Sequence, residues 1–195
     1  MKNFTNRQNE IINAAVELIA EKGIQQLTIK NLSGKIGIVE GGIYRHFKSK
    51  IDILLSILVS FENRIGSANE TLLFSADENA LTKLKTIFLN TFKNFKANPA
   101  LAAVIFSEEI FQNDKRLSEK VFAIMQQHQA ILQKIILIGQ QSDHIRSDIP
   151  VKHLTLMITG TLRLIVTQWR LTGFTYDLES EGEQMWYSIK KILTN

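Results

Sequence analysis

Ten consecutive residues, 41–50, carry a dense set of polar groups: a phenol, a guanidinium, an imidazole and two ammonium groups. Their order is Gly-Gly-Ile-Tyr-Arg-His-Phe-Lys-Ser-Lys. Cations and hydrogen-bond donors of these kinds bind phosphates and base edges. Ile43 and Phe47 stand four residues apart on one face of a helix, so the three residues between them occupy its other faces. The segment therefore predicts a short helix with a polar outer surface.

Other kinds of reactive site have little support. The four histidines form no i, i+4 pair and cysteine is absent, so we expect no metal site and no disulfide. Nucleophile-elbow, Walker and dinucleotide glycine patterns are missing. Glu108 and Glu109 would point about 100° apart on a helix, which favours a solvated face over an acid and base pair. We predict that the chain is not an enzyme and needs no cofactor.

The residues before the polar segment form the first half of a helix-turn-helix. Thr28 is a natural N-cap, and Gly37 suits the left-handed residue that ends a helix. Between them, apolar residues recur with helical spacing at Ile29, Leu32 and Ile36. Two helices joined by a tight glycine-containing turn allow the second helix to enter a major groove of DNA.

The next helix has a clear start. Ser49 and Asp52 have the spacing of a capping box before an apolar run, and Lys50 lies in the first turn. Such an end, with free amide groups and a cation, suits a phosphate. A further capping box, Thr5 to Gln8, begins helix 1, which should end near Gly23. The core of this three-helix unit is predicted to contain Ile11, Ala15, Leu18, Leu27, Leu32, Ile36, Ile43 and Phe47.

Charge agrees with a partner made of phosphates. The net charge of +4 lies entirely within residues 1–50, which hold eight basic and four acidic residues, whereas the remainder holds 15 of each. Of the 195 residues, only two are prolines and 45% are hydrophobic, which suits an all-helical protein.

Residues 28–55, and above all the segment 41–50 followed by Ile-Asp-Ile-Leu, resemble the DNA-binding domain of the TetR (AcrR-like) family of transcriptional regulators. The resemblance implies an all-α fold, with a helix-turn-helix domain at 1–49 and a ligand-binding and dimerisation domain at 50–195. It implies that Lys30, Glu40, Gly41 and Gly42 face base edges and that Thr28, Tyr44, His46 and Lys50 touch phosphates. Arg45 could do either.

Gly42 departs from the usual family pattern, because many relatives carry Thr, Ser or Ala there, so Gly41 and Gly42 leave the second helix without side chains at two forward positions. Two glycines inside a helix cost roughly 1 kcal/mol each relative to alanine. Either neighbouring packing tolerates them, or bare backbone lets the helix approach the groove floor more closely. The second interpretation would leave Lys30, Glu40 and Arg45 to discriminate between bases.

Beyond the helix-turn-helix, apolar periodicity predicts helices at about 50–65, 80–96, 100–112, 116–141, 151–172 and 178–193, with a polar, turn-like segment at 66–79. Pro99 breaks one run, and Pro150 suits a first helical turn. The helix at 151–172 is apolar on nearly every face, but Arg163 and Arg170 argue against a membrane span.

The last two helices therefore suggest a four-helix bundle with a second copy of the chain. Burial inside a single protomer is the alternative, and the family resemblance favours the homodimer. The resemblance also implies a small-molecule effector in a helical pocket, which is mostly apolar with a few polar groups. Residues of suitable chemistry are Phe88, Phe92, Phe106, Met125, Gln129, Arg163 and Trp169, although an ordinary core or surface role would explain each of them.

We expect a homodimeric, ligand-responsive transcriptional regulator, a repressor that a small-molecule effector releases from a palindromic operator in double-stranded DNA. Two alternatives stay open: a helical small-molecule-binding protein that has lost operator recognition, and an interaction scaffold built on the terminal helices. The absence of cysteine and of an apolar leader in residues 1–10 suits a cytoplasmic protein. The effector and the operator sequence are not predicted.

Overall fold

The computed structural model describes residues 4–75, 79–106 and 114–194, and these ranges are helical with no strand. The predicted all-α fold is confirmed. The helices are α1 (Asn6–Lys22), α2 (Ile29–Ile36), α3 (Glu40–Tyr44), α4 (Lys50–Phe74), α5 (Ala80–Ala97), α6 (Pro99–Ile105), α7 (Lys115–Gln141), α8 (Val151–Leu171) and α9 (Leu178–Leu193), with a 3-10 turn at Ile24–Gln26.

Side chains that accept backbone hydrogen bonds mark the predicted helix starts. Thr5 and Gln8 form the reciprocal capping box of α1, and the hydroxyl of Thr28 accepts from the amide of Asn31 at 3.1 Å. Ser49 accepts from the amide of Asp52 at 3.2 Å before α4. These bonds satisfy amide groups that lack a partner within their own helix.

The first of two compact units comprises the described residues of Met1–Arg64 and Asn98–Ala123. Here α1 packs against α2, the 3-10 turn and α6, while α2 packs against α3. Seven of the eight predicted core residues are buried: Ile11, Ala15, Leu18, Leu27, Leu32, Ile43 and Phe47. The eighth, Ile36, is only partly buried, because it is the last residue of α2 and the chain turns away at Gly37.

Ion pairs join the helices of this first unit. Lys35 of α2 lies 3.3 Å from Glu17 and 2.9 Å from Glu21, both on α1. The α4 carboxylates pair with the beginning of α7, Asp52 with Arg116 at 3.5 Å and Glu62 with Lys120. These pairs keep some contact with solvent and contribute little individually, so apolar burial supplies most of the stability.

The second unit comprises the described residues of Ile65–Ala97 and Ile124–Asn195. In it α9 packs mainly on α5 and also on α8. Phe88 and Phe92 meet edge to face at 4.9 Å between ring centroids, and Phe88 lies 5.8 Å from Trp186 of α9. A Cβ atom at Gly182 would come within 2.5 Å of the Phe92 ring, so the close approach of α9 to α5 requires glycine there.

The loop between α8 and α9 is closed by aromatic side chains. The indole of Trp169 donates to the carbonyl of Tyr176 at 3.0 Å and packs against Phe174 at 4.6 Å between ring centroids. The Tyr176 hydroxyl donates to the carbonyl of Ile165 at 3.0 Å. Asp177 then caps α9 and pairs with Lys96 of α5 at 3.1 Å. These contacts set the position of α9 against α5 and α8.

The structure corrects several predicted boundaries. Residues 66–79 were expected to form a turn, but α4 continues to Phe74. The helix continues past Gly66, and Asn69 and Leu73 beyond it are buried. Tertiary packing therefore overrides weak local propensity.

Two predictions near prolines also need correction. The helix expected at 100–112 begins at Pro99, and its described part ends at Ile105. Residues 107–113, including Glu108 and Glu109, lie outside the described residues. Pro150 precedes the first turn of α8 and serves as its N-cap residue, with φ −57° and ψ 139°.

The boundary between residues 49 and 50 was predicted to separate the DNA-binding domain from the ligand-binding and dimerisation domain, and it remains a prediction. The compact units divide differently, since α4 and α7 contribute residues to both. Within the described ranges, no helix combines the length and the apolar composition needed to cross a bilayer.

The Gly182 contact generates a stability prediction. Gly182→Ala should lower the free energy of unfolding by about 1–3 kcal/mol, because the methyl group would overlap the Phe92 ring. Urea denaturation measures this loss. Gly34→Ala is the matched control, since nothing lies within 4 Å of its Cβ position in α2, and it should stabilise by up to about 1 kcal/mol.

A double variant separates overlap from other causes. If the Phe92 ring is responsible, Gly182→Ala combined with Phe92→Leu should lose less stability than the sum of the two single variants. Full stability of Gly182→Ala alone would contradict the proposed contact.

Candidate nucleic-acid interface

Hydrogen bonds on either side of Thr28 position the start of α2. The Thr28 side chain caps the helix, and the amide side chain of Asn31 donates to the carbonyl of Gln26 at 2.8 Å in the preceding 3-10 turn. Lys30, on the same first turn, is exposed. Thr28 is exposed as well, so both residues can meet a partner placed against the start of α2.

The turn between α2 and α3 is stabilised by a left-handed residue. Gly37 has φ 76° and ψ 33°, and the amides of Gly37 and Ile38 both donate to the carbonyl of Ser33, at 2.9 and 3.0 Å. This pattern is a Schellman-type helix end, which favours glycine at the left-handed position. The predicted turn is thereby accounted for by backbone geometry.

Helix α3 is shorter than the sequence suggests. It contains only Glu40–Tyr44, and Phe47 lies beyond its end. Ile43 is fully buried and Phe47 nearly so, whereas Tyr44 is 52% exposed and Arg45 is also exposed. The segment is therefore anchored by two apolar side chains and presents its polar residues outward, as predicted. His46 is half-buried.

The two glycines of α3 have different surroundings. The Ile38 side chain lies over Gly42, where an ideal Cβ would be 3.2 Å from its Cδ1 atom. Gly41 faces open space, with nothing within 4 Å. A side chain at position 42 would require Ile38 to shift by a few tenths of an ångström, whereas the surroundings of Gly41 leave room for a partner to approach its backbone closely.

Lys50 lies in the first turn of α4, as predicted, but its ammonium is not free in solvent. It donates to the carbonyl of Ile24 at 3.3 Å, in the 3-10 turn after α1. Burial lowers the pKa of this ammonium below its ordinary value of 10.5. Lys35, another cation of the motif, is engaged by Glu21 and Glu17, and its side-chain hydrogen bond with Glu21 raises its pKa. Sequence reasoning did not detect this ion pair, because its carboxylates belong to α1.

The predicted effector residues of the second unit fall into two groups. Phe88, Phe92 and Trp169 are buried: the first two pack together, and Trp169 belongs to the loop cluster after α8. Met125, Gln129 and Arg163 are partly exposed. Phe106 belongs to the first unit, where it is partly exposed.

His128 was not singled out in the sequence, where it stands alone between polar residues. Burial of its imidazole lowers the pKa to about 4, although the residue as a whole is only half-buried. The side chain is therefore neutral at pH 7. Because the pKa is depressed in the folded state, this group contributes stability above its unfolded pKa near 6.5, and the contribution is lost as the pH falls towards 4.

A cleft of about 140 Å³ lies elsewhere in the second unit. Its lining includes Leu73, Asn79, Ala80, Lys83, Ile135, Ile138, Ser142 and His144, none of which was predicted. The Lys83 ammonium donates to the carbonyls of Leu73 and Ser75, at 3.0 and 2.5 Å. Among the described residues, no group of three or more histidine, aspartate or glutamate side chains could hold a metal ion.

Comparison with known proteins connects both units to one family. Residues 11–57 match the model of bacterial regulatory proteins of the tetR family, and residues 61–191 match that of the C-terminal region of YsiA-like proteins. The first match covers α2, α3 and the exposed polar residues Thr28, Lys30, Tyr44 and Arg45.

Individual relatives agree over nearly the whole length. The chain is 31% identical to the fatty acid metabolism regulator protein of Bacillus subtilis over 179 residues, or 91% of each chain. It resembles the structure of the fatty acid degradation regulator FadR from Bacillus halodurans, with a TM-score of 0.85 and 25% identity over 97% of each chain. It also resembles FadR from Bacillus subtilis in complex with stearoyl-CoA, with a TM-score of 0.81 and 27% identity over 95% of this chain and 98% of that one.

The helix-turn-helix geometry and the sequence matches therefore lead to the same conclusion. With one family model across 61–191 and a relative 31% identical over 91% of its length, this chain belongs to the TetR family of bacterial regulatory proteins, which are DNA-binding transcription regulators and not enzymes.

Proposed function

We propose that the chain is a homodimeric repressor that leaves a palindromic operator when it binds a long-chain acyl-CoA thioester. The observation that carries this proposal is the helix-turn-helix, in which Ile43 and Phe47 are buried while Lys30, Tyr44 and Arg45 are exposed. Each protomer would place α3 in one major groove, with the two half-sites about 34–36 Å apart or a multiple of that distance.

The polar residues divide by the chemistry of their targets. Lys30, Glu40 and Arg45 have side chains that can bond base edges, and Gly41 allows the backbone of α3 to come close. Phosphates are the proposed targets of Thr28, Tyr44, His46 and Lys50. Phosphate contacts fix the register of the protein on the duplex, and base contacts select the sequence.

Lys50 has particular support as a phosphate contact. Its ammonium lies between the first turn of α4 and the Ile24 carbonyl, so the side chain is already ordered before DNA arrives. Burial disfavours its charge, and a phosphate would compensate for the lost hydration. Ordering in advance reduces the entropy lost on binding.

Lys50→Met should weaken binding to cognate and random duplexes by the same factor, because a phosphate carries no sequence information. The plot of log affinity against log salt should become shallower by about one unit. Fluorescence anisotropy at several salt concentrations measures both effects. Lys22→Met, which removes an exposed cation of α1, is the control with an unchanged slope. Loss restricted to the cognate duplex would instead assign Lys50 to base recognition.

The proposed dimer uses exposed apolar side chains of α8 and α9, here called the α8–α9 face. Met157, Leu164 and Leu171 are exposed and recur every seven residues along α8. Gly160 lies between them with open space around it, which permits close approach of another helix. Tyr187 and Ile192 of α9 are exposed as well. A soluble protein rarely leaves such a surface uncovered, and a four-helix bundle with a second copy would bury it.

Met157→Glu should convert the dimer to a monomer, because association would bury the carboxylate in the α8–α9 face. Analytical ultracentrifugation measures the mass. Leu137→Glu is the matched control: Leu137 of α7 is 47% exposed and Met157 is 49% exposed, but Leu137 lies outside this face. A dimer that persists in Met157→Glu and disappears in Leu137→Glu would move the interface to α7.

The effector class follows from the relatives. A relative from Bacillus subtilis is named a fatty acid metabolism regulator protein, and the similar structure of FadR from Bacillus subtilis is a complex with stearoyl-CoA. In this chain, the interior of the second unit around Phe88, Phe92 and Trp186 is apolar, aromatic and closely packed, and we propose that these side chains move apart to admit the acyl chain. Arg163 of α8 supplies a cation for the anionic part of the thioester. Acyl-CoA binding would shift α4, which contributes to both units, and so change the spacing of the two α3 helices.

Stearoyl-CoA should release the protein from its operator, whereas coenzyme A at the same concentration should not, because the acyl chain supplies the apolar contact. Anisotropy of a labelled operator measures release, and coupling requires that operator DNA weaken stearoyl-CoA binding by the same factor. Arg163→Gln should raise the stearoyl-CoA concentration needed by about tenfold. Arg170→Gln, on the same helix and also partly exposed, should respond as wild type.

The outcomes distinguish the alternatives. Stearoyl-CoA binding by a protein that binds no duplex would support the small-molecule-binding protein without operator recognition. Operator binding that resists every acyl-CoA tested would retain the DNA-binding regulator and reject this class of effector.

A further inference from the structure

Val39 stands where a capping side chain would stabilise the start of α3. It is the N-cap residue of α3, with φ −74° and ψ 151°, and its side chain makes no capping hydrogen bond. By contrast, Thr5, Thr28 and Ser49 accept amide hydrogen bonds at the starts of α1, α2 and α4. Valine is among the poorest N-cap residues. Local helix stability therefore does not explain this residue.

Packing does not explain Val39 either. Its side chain is 78% exposed, although the preceding residue, Ile38, is half-buried and covers Gly42. The two neighbouring β-branched residues thus have opposite surroundings. Because Gly41 and Gly42 have no side chains, Val39 and Glu40 present the side chains at the leading end of α3.

The chemistry of the side chain limits what it can recognise. An isopropyl group has no donor, acceptor or charge, so a phosphate is not its partner. In the major groove, the C5-methyl group of thymine is the apolar feature of the base edges, and apolar side chains contact it. Valine is also stiff at χ1, so it loses little conformational freedom on contact.

We infer that Val39 is a specificity-determining residue, whose isopropyl group packs against a thymine C5-methyl group in each operator half-site. The inference rests on the proposed function, since it requires α3 to enter the major groove. It assigns a preference for thymine to an apolar residue, which is not among the polar residues proposed above to contact DNA. It also explains why α3 begins with valine and not with a residue whose side chain could cap the helix.

The test begins with selection of bound duplexes from a random pool by the wild-type protein, which defines the operator. The thymidines of the half-sites are then replaced by deoxyuridine, one position at a time, which removes only the methyl group. At one position per half-site, this replacement should weaken wild-type binding in anisotropy measurements by about fourfold, the amount expected for one buried methyl group.

Val39→Ser is the decisive variant. Serine can cap α3, so the variant should unfold at the same temperature as wild type or higher, and any loss of binding is not a folding defect. It should bind the thymine operator about fourfold more weakly per half-site and should no longer distinguish thymine from deoxyuridine at that position. Val39→Thr, which keeps one methyl group, should retain part of the discrimination.

Three results would overturn the inference. The first is an operator whose half-sites contain no thymine, and the second is wild-type binding that is indifferent to deoxyuridine at every position. The third is full methyl discrimination in Val39→Ser, which would assign the contact to another residue. A selection that enriches no sequence would instead overturn the proposed function, and the inference with it.

Discussion

A helix of five residues cannot maintain its shape in water by itself, because nucleation is unfavourable and few internal hydrogen bonds form. Helix α3 contains only Glu40–Tyr44, and two of these residues are glycines. Its conformation therefore depends on burial of Ile43 and Phe47 in the core of the first unit, and on the left-handed turn at Gly37 that precedes it. Every polar group available for DNA recognition on α3 is positioned through that apolar anchor.

Because of this anchor, the exposed residues of the motif can be selected for DNA recognition without regard to helix stability. With stability supplied from the inner face, exposed positions are free to carry residues that do not favour a helix, such as Gly41 and Val39. Surrounding hydrogen bonds order the neighbouring parts: Thr28 caps α2, and Lys50 joins α4 to the 3-10 turn at Ile24. Positions that break local rules without structural compensation are often functional, and Val39 fits that description.

The second unit relies on a different constraint, the close packing of α9 on α5. Gly182 lies against the Phe92 ring, and the Asp177 cap pairs with Lys96 of α5. Because the Trp169–Tyr176 hydrogen bond closes the loop before α9, these contacts hold α8 and α9 side by side. The exposed apolar residues of both helices make up the α8–α9 face proposed for a second copy, while the aromatic interior around Phe88 is the environment proposed for an acyl chain.

The sequence by itself determined the features that depend on short-range interactions. Thr5, Thr28 and Ser49 lie within three residues of the amides they cap, and Gly37 adopts its left-handed conformation within its own turn. Apolar periodicity identified most of the core, and the spacing within 41–50 identified the family. Only the tertiary structure decided the features that need distant side chains: α4 continues past Gly66 and buries Asn69 and Leu73, and Gly42 is covered by Ile38. Three further contacts belong to the same class: the ion pair of Lys35 with α1, the hydrogen bond of Lys50 to the Ile24 carbonyl, and the packing of α6 on α1. Local sequence cannot encode such contacts visibly, because each depends on which segments the completed fold brings together.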